Sequence, residues 1–260
     1  MRRKHRSPAL AATATLLLTL GSAGWAQVAP VPAEPAQAGL EATEAQPRAL
    51  EAFLASYQVF NQGRALGTAT MQVAPAEGER WRVDLNLKGG GVMRLAGLNL
   101  QQSTVFETHD NQYRPLSQAL VKRVFLSNRK TVGVYDWNAR SARWTGDVKE
   151  SRRRPVPLQA GDMSGLLINL AVIRDAQPGR TLHYRFVDDG RAREHVYRVA
   201  AETETIQVGD LSYDAMRVER VQSGSEQTVI WVATGVPTPI RILQREDGED
   251  VTDLRLIEYG

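Results

Sequence analysis

Three histidines beyond the first few residues, His109, His183 and His195, and a scatter of carboxylates are the groups in this 260-residue chain with the chemistry to act on a substrate. His183 and His195 lie on either side of Asp188-Asp189-Gly190, a hairpin signal because such turns need positive φ. A three-residue loop over Asp188 to Gly190 would set the two imidazoles opposite one another. A two-residue turn at Asp189-Gly190 slips the register by one and sends them to opposite faces. Even together they make a poor metal site, since no acidic residue at a telling spacing completes a ligand set; neither a metal nor a cofactor is expected. Sugar hydrolysis needs two carboxyl groups at a set separation, and Glu107, Asp136, Asp162, Glu194 and Glu219 are available. Spacing across strands does not pair them. No G-x-S-x-G elbow, H-E-x-x-H, phosphate-cradling loop or dinucleotide fingerprint occurs. The run Gly89-Gly90-Gly91 sits between two strand-like segments rather than before a helix, and reads as a turn or bulge. "SRRRP" at 151–155 offers charge to an anionic ligand, but a solvated edge strand guarded by charge accounts for it better.

The elements that must position these groups are mostly strands. In "RWRVDLNLK", Trp81, Val83, Leu85 and Leu87 share one face and Arg80, Arg82, Asp84 and Asn86 the other. That is the period-two mark of a strand with one buried and one wet face. About a dozen such runs recur, with a hairpin near Asn61 to Arg64 and further turns at Gly209-Asp210, Ser223-Gly224 and Asp247-Gly248. One stretch breaks the pattern. In "QAGDMSGLLINLAVIRDAQPG", Met163, Leu166, Leu167, Leu170 and Ile173 fall at helical spacing, and Ile168, Ala171 and Val172 widen the stripe almost all round. Asp162 suits an N-cap and Pro178-Gly179 a stop. A helix this apolar belongs under a sheet. The fold expected is mainly β: a strongly curved antiparallel sheet or half-barrel, with one buried apolar helix over 162–175 packed on its concave side. The alternation with Arg, Asp and Glu argues against a membrane barrel.

The N-terminus reads as a targeting signal. Arg2, Arg3, Lys4 and Arg6 precede an apolar run from Ala9 to Leu20, and Gly24-Trp25-Ala26 is a small-x-small site, so cleavage after Ala26 is expected. The apolar run is shorter than the roughly 20 residues of a bilayer span. Removing four basic residues turns the net charge of +3 into −1 and withdraws the main support for nucleic-acid binding. Without cysteine there are no disulfides and no lipid-modified cysteine, which fits a Gram-negative periplasm better than a eukaryotic extracellular space. Residues 27–50, rich in Ala, Pro, Glu and Gln, read as a disordered linker; 51–260 reads as a single antiparallel β domain with no stable membrane span.

"YQVFNQGRALGTATMQV", "QAGDMSGLL" and "IWVATGVPTPIRILQREDGEDVTDLRLIEY" resemble an exported bacterial family catalogued as domain of unknown function 3108, over most of residues 53–259. Its most specific parts here are Gln159, Asp162 and Ser164, and the Trp231 to Pro239 segment; Ala160-Gly161 separates a Gln and an Asp that are adjacent in many relatives. The resemblance implies a periplasmic, mainly antiparallel β protein and carries over no catalytic residues. By architecture it is also similar to half-barrel lipoprotein carriers, a likeness of fold alone. The function expected is a periplasmic, non-enzymatic binding or carrier protein for a lipid or other amphipathic envelope molecule. Trp81, Trp137, Asp162, Leu166, Leu170 and Trp231 are the candidate ligand-binding residues. Two alternatives stay open: an envelope protein that binds or cleaves carbohydrate, with Asp162 and a strand carboxylate at its site, and an assembly factor that binds another envelope protein along an exposed edge.

Overall fold

The computed structural model describes residues 49–260 apart from Ala96 and Ser223. The expected signal to Ala26, and the expected linker but for Ala49 and Leu50, lie outside the described residues. The first half runs β1 (Phe53–Asn61), β2 (Arg64–Pro75), β3 (Arg80–Gly89), β4 (Asn99–His109), β5 (Gln112–Val124), β6 (Ser127–Asp136), β7 (Ser141–Gly146) and β8 (Val156–Pro157). The second runs β9 (Asp162–Met163), β10 (Thr181–Asp188), β11 (Arg191–Val208), β12 (Leu211–Val221), β13 (Gln227–Ala233), β14 (Arg241–Glu246) and β15 (Glu249–Tyr259). Two helices, α1 (Gly91–Leu95) and α2 (Gly165–Asp175), and a 3-10 turn at Glu150–Arg152 interrupt them.

The protein is mainly β, and its fifteen strands make one open sheet that follows chain order from β8 back to β1, crosses to β15, and continues down to β9. Neighbours are antiparallel except β9 and β10, where Asp162 and Met163 run parallel to Arg185 and Phe186. β8 and β9 are therefore opposite edges, yet only residues 158–161 separate them. Laid flat, fifteen strands spaced roughly 4.8 Å apart would hold the edges about 67 Å from one another. A connection of this length reaches no more than about 18 Å. The sheet has to turn back on itself.

Side chains, not a backbone ladder, hold the returning edges. The Tyr135 hydroxyl on β6 lies 2.7 Å from the Val187 carbonyl oxygen on β10. Gln118 Nε2 donates to Asp188, and the Asp189 carboxylate takes Arg129 at 3.0 Å and also Arg152. A small second core, with Tyr135, Trp144, Val156, Leu158 and Val187, packs beneath these polar contacts. Burial of this apolar surface supplies the cohesion, at roughly 25 cal/mol per Å².

The main core lies between the sheet and α2. Leu166, Leu167, Ile168, Leu170, Ala171 and Val172 are all buried, and the helix contacts β3, β4, β5 and β10. Asp162 is not its N-cap. The helix begins after Ser164, whose hydroxyl is 2.9 Å from that of Thr104 on β4, and it ends at Asp175, before Pro178-Gly179. Asp162 instead sits in β9, where its carboxylate accepts from the Gln159 amide at 2.8 Å and pairs with Arg185 at 2.6 Å. A guanidinium on the neighbouring strand outcompetes a cap.

Three other expectations change. The glycine run opens into the one-turn helix α1 rather than a simple turn, with Gly89 N–H donating to the Leu98 carbonyl across its base. "SRRRP" is not an edge strand but the 3-10 turn leading into one, with Arg152 committed to Asp189. "REHVYRVA" and "TETIQVG" are one 18-residue strand, β11, whose pairing with β12 skips between Val199 and Thr203.

Asp189 and Gly190 form a two-residue turn, since Asp188 pairs with Arg191, and both residues have positive φ, 48° and 71°. A β-carbon on Gly190 would stand 2.0 Å from the Arg152 carbonyl oxygen. Gly190→Ala therefore strains the backbone and pushes the returning edge outward. It should lower the unfolding free energy by about 2 kcal/mol or more, read from the urea midpoint.

Candidate functional site

Register decides which side chains face α2. Leu85 and Leu87 on β3 stand opposite Gln102 and Leu100 on β4; Ile242 and Gln244 on β14 stand opposite Leu254 and Thr252 on β15. Phe186 and Tyr184 on β10 face Arg193 and His195 on β11, and Tyr197 faces Arg220 on β12. These inward residues do not fill the space above the first turns of α2. They leave a partly open cavity of about 410 Å³, closed on the helix side by Leu166, Ile168 and Asn169. That volume lies within the roughly 300–1,000 Å³ of small-molecule sites.

The lining mixes apolar and polar groups. Leu85, Leu87, Leu100, Leu166, Ile242 and Leu254 are its aliphatic side chains, with Gln102, Gln244 and Thr252 set among them. Arg193, Arg220, Asp188 and Glu226 are its charged groups, and His195 is its imidazole. His195 is only 8% exposed, stacks on Phe186 with ring centroids 4.7 Å apart, and has no hydrogen-bond partner for either ring nitrogen among the described residues. Burial first, then the charges of Arg220 and Arg193, push its pKa down to about 4. The imidazole is thus neutral at ordinary pH, with one N–H to donate and one lone pair to accept. Arg193 and Arg220 take part in no salt bridge among the described residues. Burial raises the Asp188 carboxyl above its ordinary range, while Gln118 and the Asp189 amide draw it back.

The two-residue turn settles the histidine question. His183 pairs with Val196 and His195 with Tyr184, so the two imidazoles lie on opposite faces, and His183 is exposed. Among the described residues no group of three His, Cys, Asp or Glu side chains is arranged to hold a metal.

Of the six candidate residues, the cavity brings in Leu166 alone. Leu170 is on the same helix but packs in the main core. Trp81 is half-buried, beside Leu50 and Tyr113. Trp231 pairs with Arg217 and Arg241, on the face away from Ile230 and Ile242; its indole N–H donates to Glu204 at 2.9 Å and its ring lies under Arg241. Trp137 borders a separate open cleft of about 580 Å³ whose lining holds no carboxylate. Its N–H is committed to the Pro115 carbonyl at 2.7 Å and Arg114 covers its ring at 4.7 Å. Asp162 is fully buried, and burial raises its carboxyl, with the Gln159 amide and Arg185 opposing.

What the sequence reading missed is the trio Arg193, His195 and Arg220. The signal was there in part: once the turn is fixed at two residues, alternation puts Arg193 and His195 on the face of Tyr184 and Phe186.

Two outcomes follow from this electrostatic arrangement. Arg185→Leu leaves the Asp162 carboxylate buried without its partner and should cost about 3–5 kcal/mol in chemical unfolding. For His195, the folded pKa of about 4 lies below the ordinary 6.5, so the unfolded chain binds the proton first as pH falls. Unfolding free energy should drop between pH 6.5 and 4 in the native protein, relative to His195→Phe, and the difference should level off above that window.

No curated protein is significantly similar to the chain. A solved structure similar to it is the beta-barrel-like protein of domain of unknown function DUF1849 from Brucella abortus, at 7% identity and a TM-score of 0.46, covering 81% of this chain and 97% of that one. The chain matches the family described as protein of unknown function (DUF3108) over residues 53–255, and it belongs to that family.

Proposed function

We propose that the chain is a non-enzymatic binding or carrier protein for a lipid or another amphipathic molecule of the cell envelope. In this reading the sheet is a strongly curved half-barrel, α2 lies on its concave side, and the space left beside the helix takes an apolar chain. The observation that carries the proposal is a cavity whose wall combines leucine and isoleucine with the buried His195, which has no hydrogen-bond partner among the described residues, and with Arg193 and Arg220, which make no salt bridge among them. A buried polar group left without a hydrogen bond costs about 1–3 kcal/mol. An oxygen-bearing head group next to His195 offsets that cost, and Arg193 and Arg220 supply further donors to it, in a lining that also holds Asp188 and Glu226.

Native mass spectrometry of gently purified protein is the direct test. A bound amphiphile that disappears on delipidation and returns on adding lipid supports the reading; an apo mass that no lipid shifts overturns it. Leu85→Trp puts bulk into the cavity from a half-buried position. It should weaken binding of a fluorescent fatty-acid probe by about tenfold or more, with the unfolding midpoint little changed.

A further inference from the structure

Six hairpins of the described residues turn in two residues. Five use polar residues or glycine: Gln62-Gly63, Asp110-Asn111, Asp189-Gly190, Gly209-Asp210 and Asp247-Gly248. These are the residues such turns demand. The sixth, between Val124 and Ser127, is Phe125-Leu126. Phe125 adopts φ +52°, in the left-handed region that favours glycine. Its side chain is 73% exposed and that of Leu126 fully so, at 104%. A turn that breaks local rules and also displays two large apolar side chains to solvent stabilises nothing in the fold. Such departures mark functional sites.

The surroundings say what covers the tip. From Asn111 to Tyr135 the sequence has no acidic residue and five basic ones, Arg114, Lys122, Arg123, Arg129 and Lys130. Lys122, Arg123 and Lys130 are exposed beside the turn, whereas Arg129 is held by Asp189. Asn99 pairs with Arg123, so α1, just before β4, lies at this same end of the sheet and adds the exposed Leu95, at 87%, next to Arg94. The cavity is at this end too. Leu100, in its wall, pairs with Lys122, and Asp188, also in its wall, adjoins the Asp189 that holds Arg129.

We infer that the β5–β6 tip docks on an anionic bilayer surface, with Phe125 and Leu126 entering the interfacial layer and Lys122, Arg123 and Lys130 facing lipid phosphates, on the flank away from the acidic Glu246 to Glu249 turn. Apolar side chains ringed by Lys and Arg are the composition that interfacial binding requires. Docking in this pose brings the end of the sheet that holds the cavity close to the lipid. The inference goes beyond ligand binding and is tested separately from it.

The test is co-sedimentation of the full chain with phosphatidylcholine vesicles, with and without phosphatidylglycerol. Comparing variants in one background cancels any contribution of the apolar run Ala9 to Leu20. The native protein should bind the anionic vesicles more tightly, and less so as salt is raised. Phe125→Gly combined with Leu126→Ser should reduce that binding by about tenfold or more. Because glycine accepts the φ at position 125, the melting temperature of Phe125→Gly should be unchanged or higher, so lost binding is not lost folding. Lys122→Glu with Arg123→Glu should remove the preference for anionic lipid. Equal binding of native and tip variants, or no preference between the vesicles, overturns the inference. So does a dimer in solution that Phe125→Gly dissolves in a protein that binds no vesicles, which would assign the tip to a second copy of the chain. The fatty-acid probe should bind the tip variants as it binds the native protein, whatever the vesicles show.

Discussion

Four residues, 158–161, join the two opposite edges of a fifteen-stranded sheet. A link this short limits where every other strand can lie. It forbids a flat sheet and gathers the inward faces of distant strands around one axis. The gap it leaves in the hydrogen-bond pattern is bridged by Tyr135, Gln118, Asp188, Asp189, Arg129 and Arg152. The helix that follows directly after the gap buries Leu166 to Ile168 and Leu170 to Val172 and contacts β3, β4, β5 and β10.

The helix does not fill the whole interior, and the unfilled part has a definite chemistry. Packing dominates where α2 meets β3, β4, β5 and β10. Toward the end of the sheet where β10 turns into β11, the inward positions become Arg193, His195, Arg220 and Asp188. The lining thus sets two guanidiniums, two carboxylates and an imidazole against leucine and isoleucine, without any motif that a pattern search would recognise.

Much of this architecture was legible in the sequence because alternation is a local signal. β3 could be read residue by residue, and the hairpin of β1 and β2 turns within the expected Asn61 to Arg64. β7 was not legible: Ala142 and Trp144 are its only buried positions, in six mostly polar residues. The N-cap misreading had a different origin. Asp162 has the local form of a cap, but its partner Arg185 is 23 residues away on another strand. The placement of the candidate site residues is non-local in the same way. Aromatic residues looked like ligand contacts, yet whether Trp231 or Ile230 faces inward depends on pairing with β12 and β14. Which face His195 takes hinged on one residue of turn length.

The pairing of β1 with β15 bears on how the chain reaches this state. Each half of the sheet is a meander whose neighbours are close in sequence, and such ladders close quickly because little loop entropy is lost. The ladder of Ala55 with Tyr259 and Phe60 with Asp253 joins residues nearly a whole domain apart. During synthesis the inner edge of β1 waits, its backbone donors and acceptors unpaired, until the last strand emerges. Through that interval β1 is an open sheet edge rich in Tyr57, Val59 and Phe60, the kind of surface that recruits strands from other chains. A protein built this way carries an aggregation risk at its own first strand, and completing the last strand removes it.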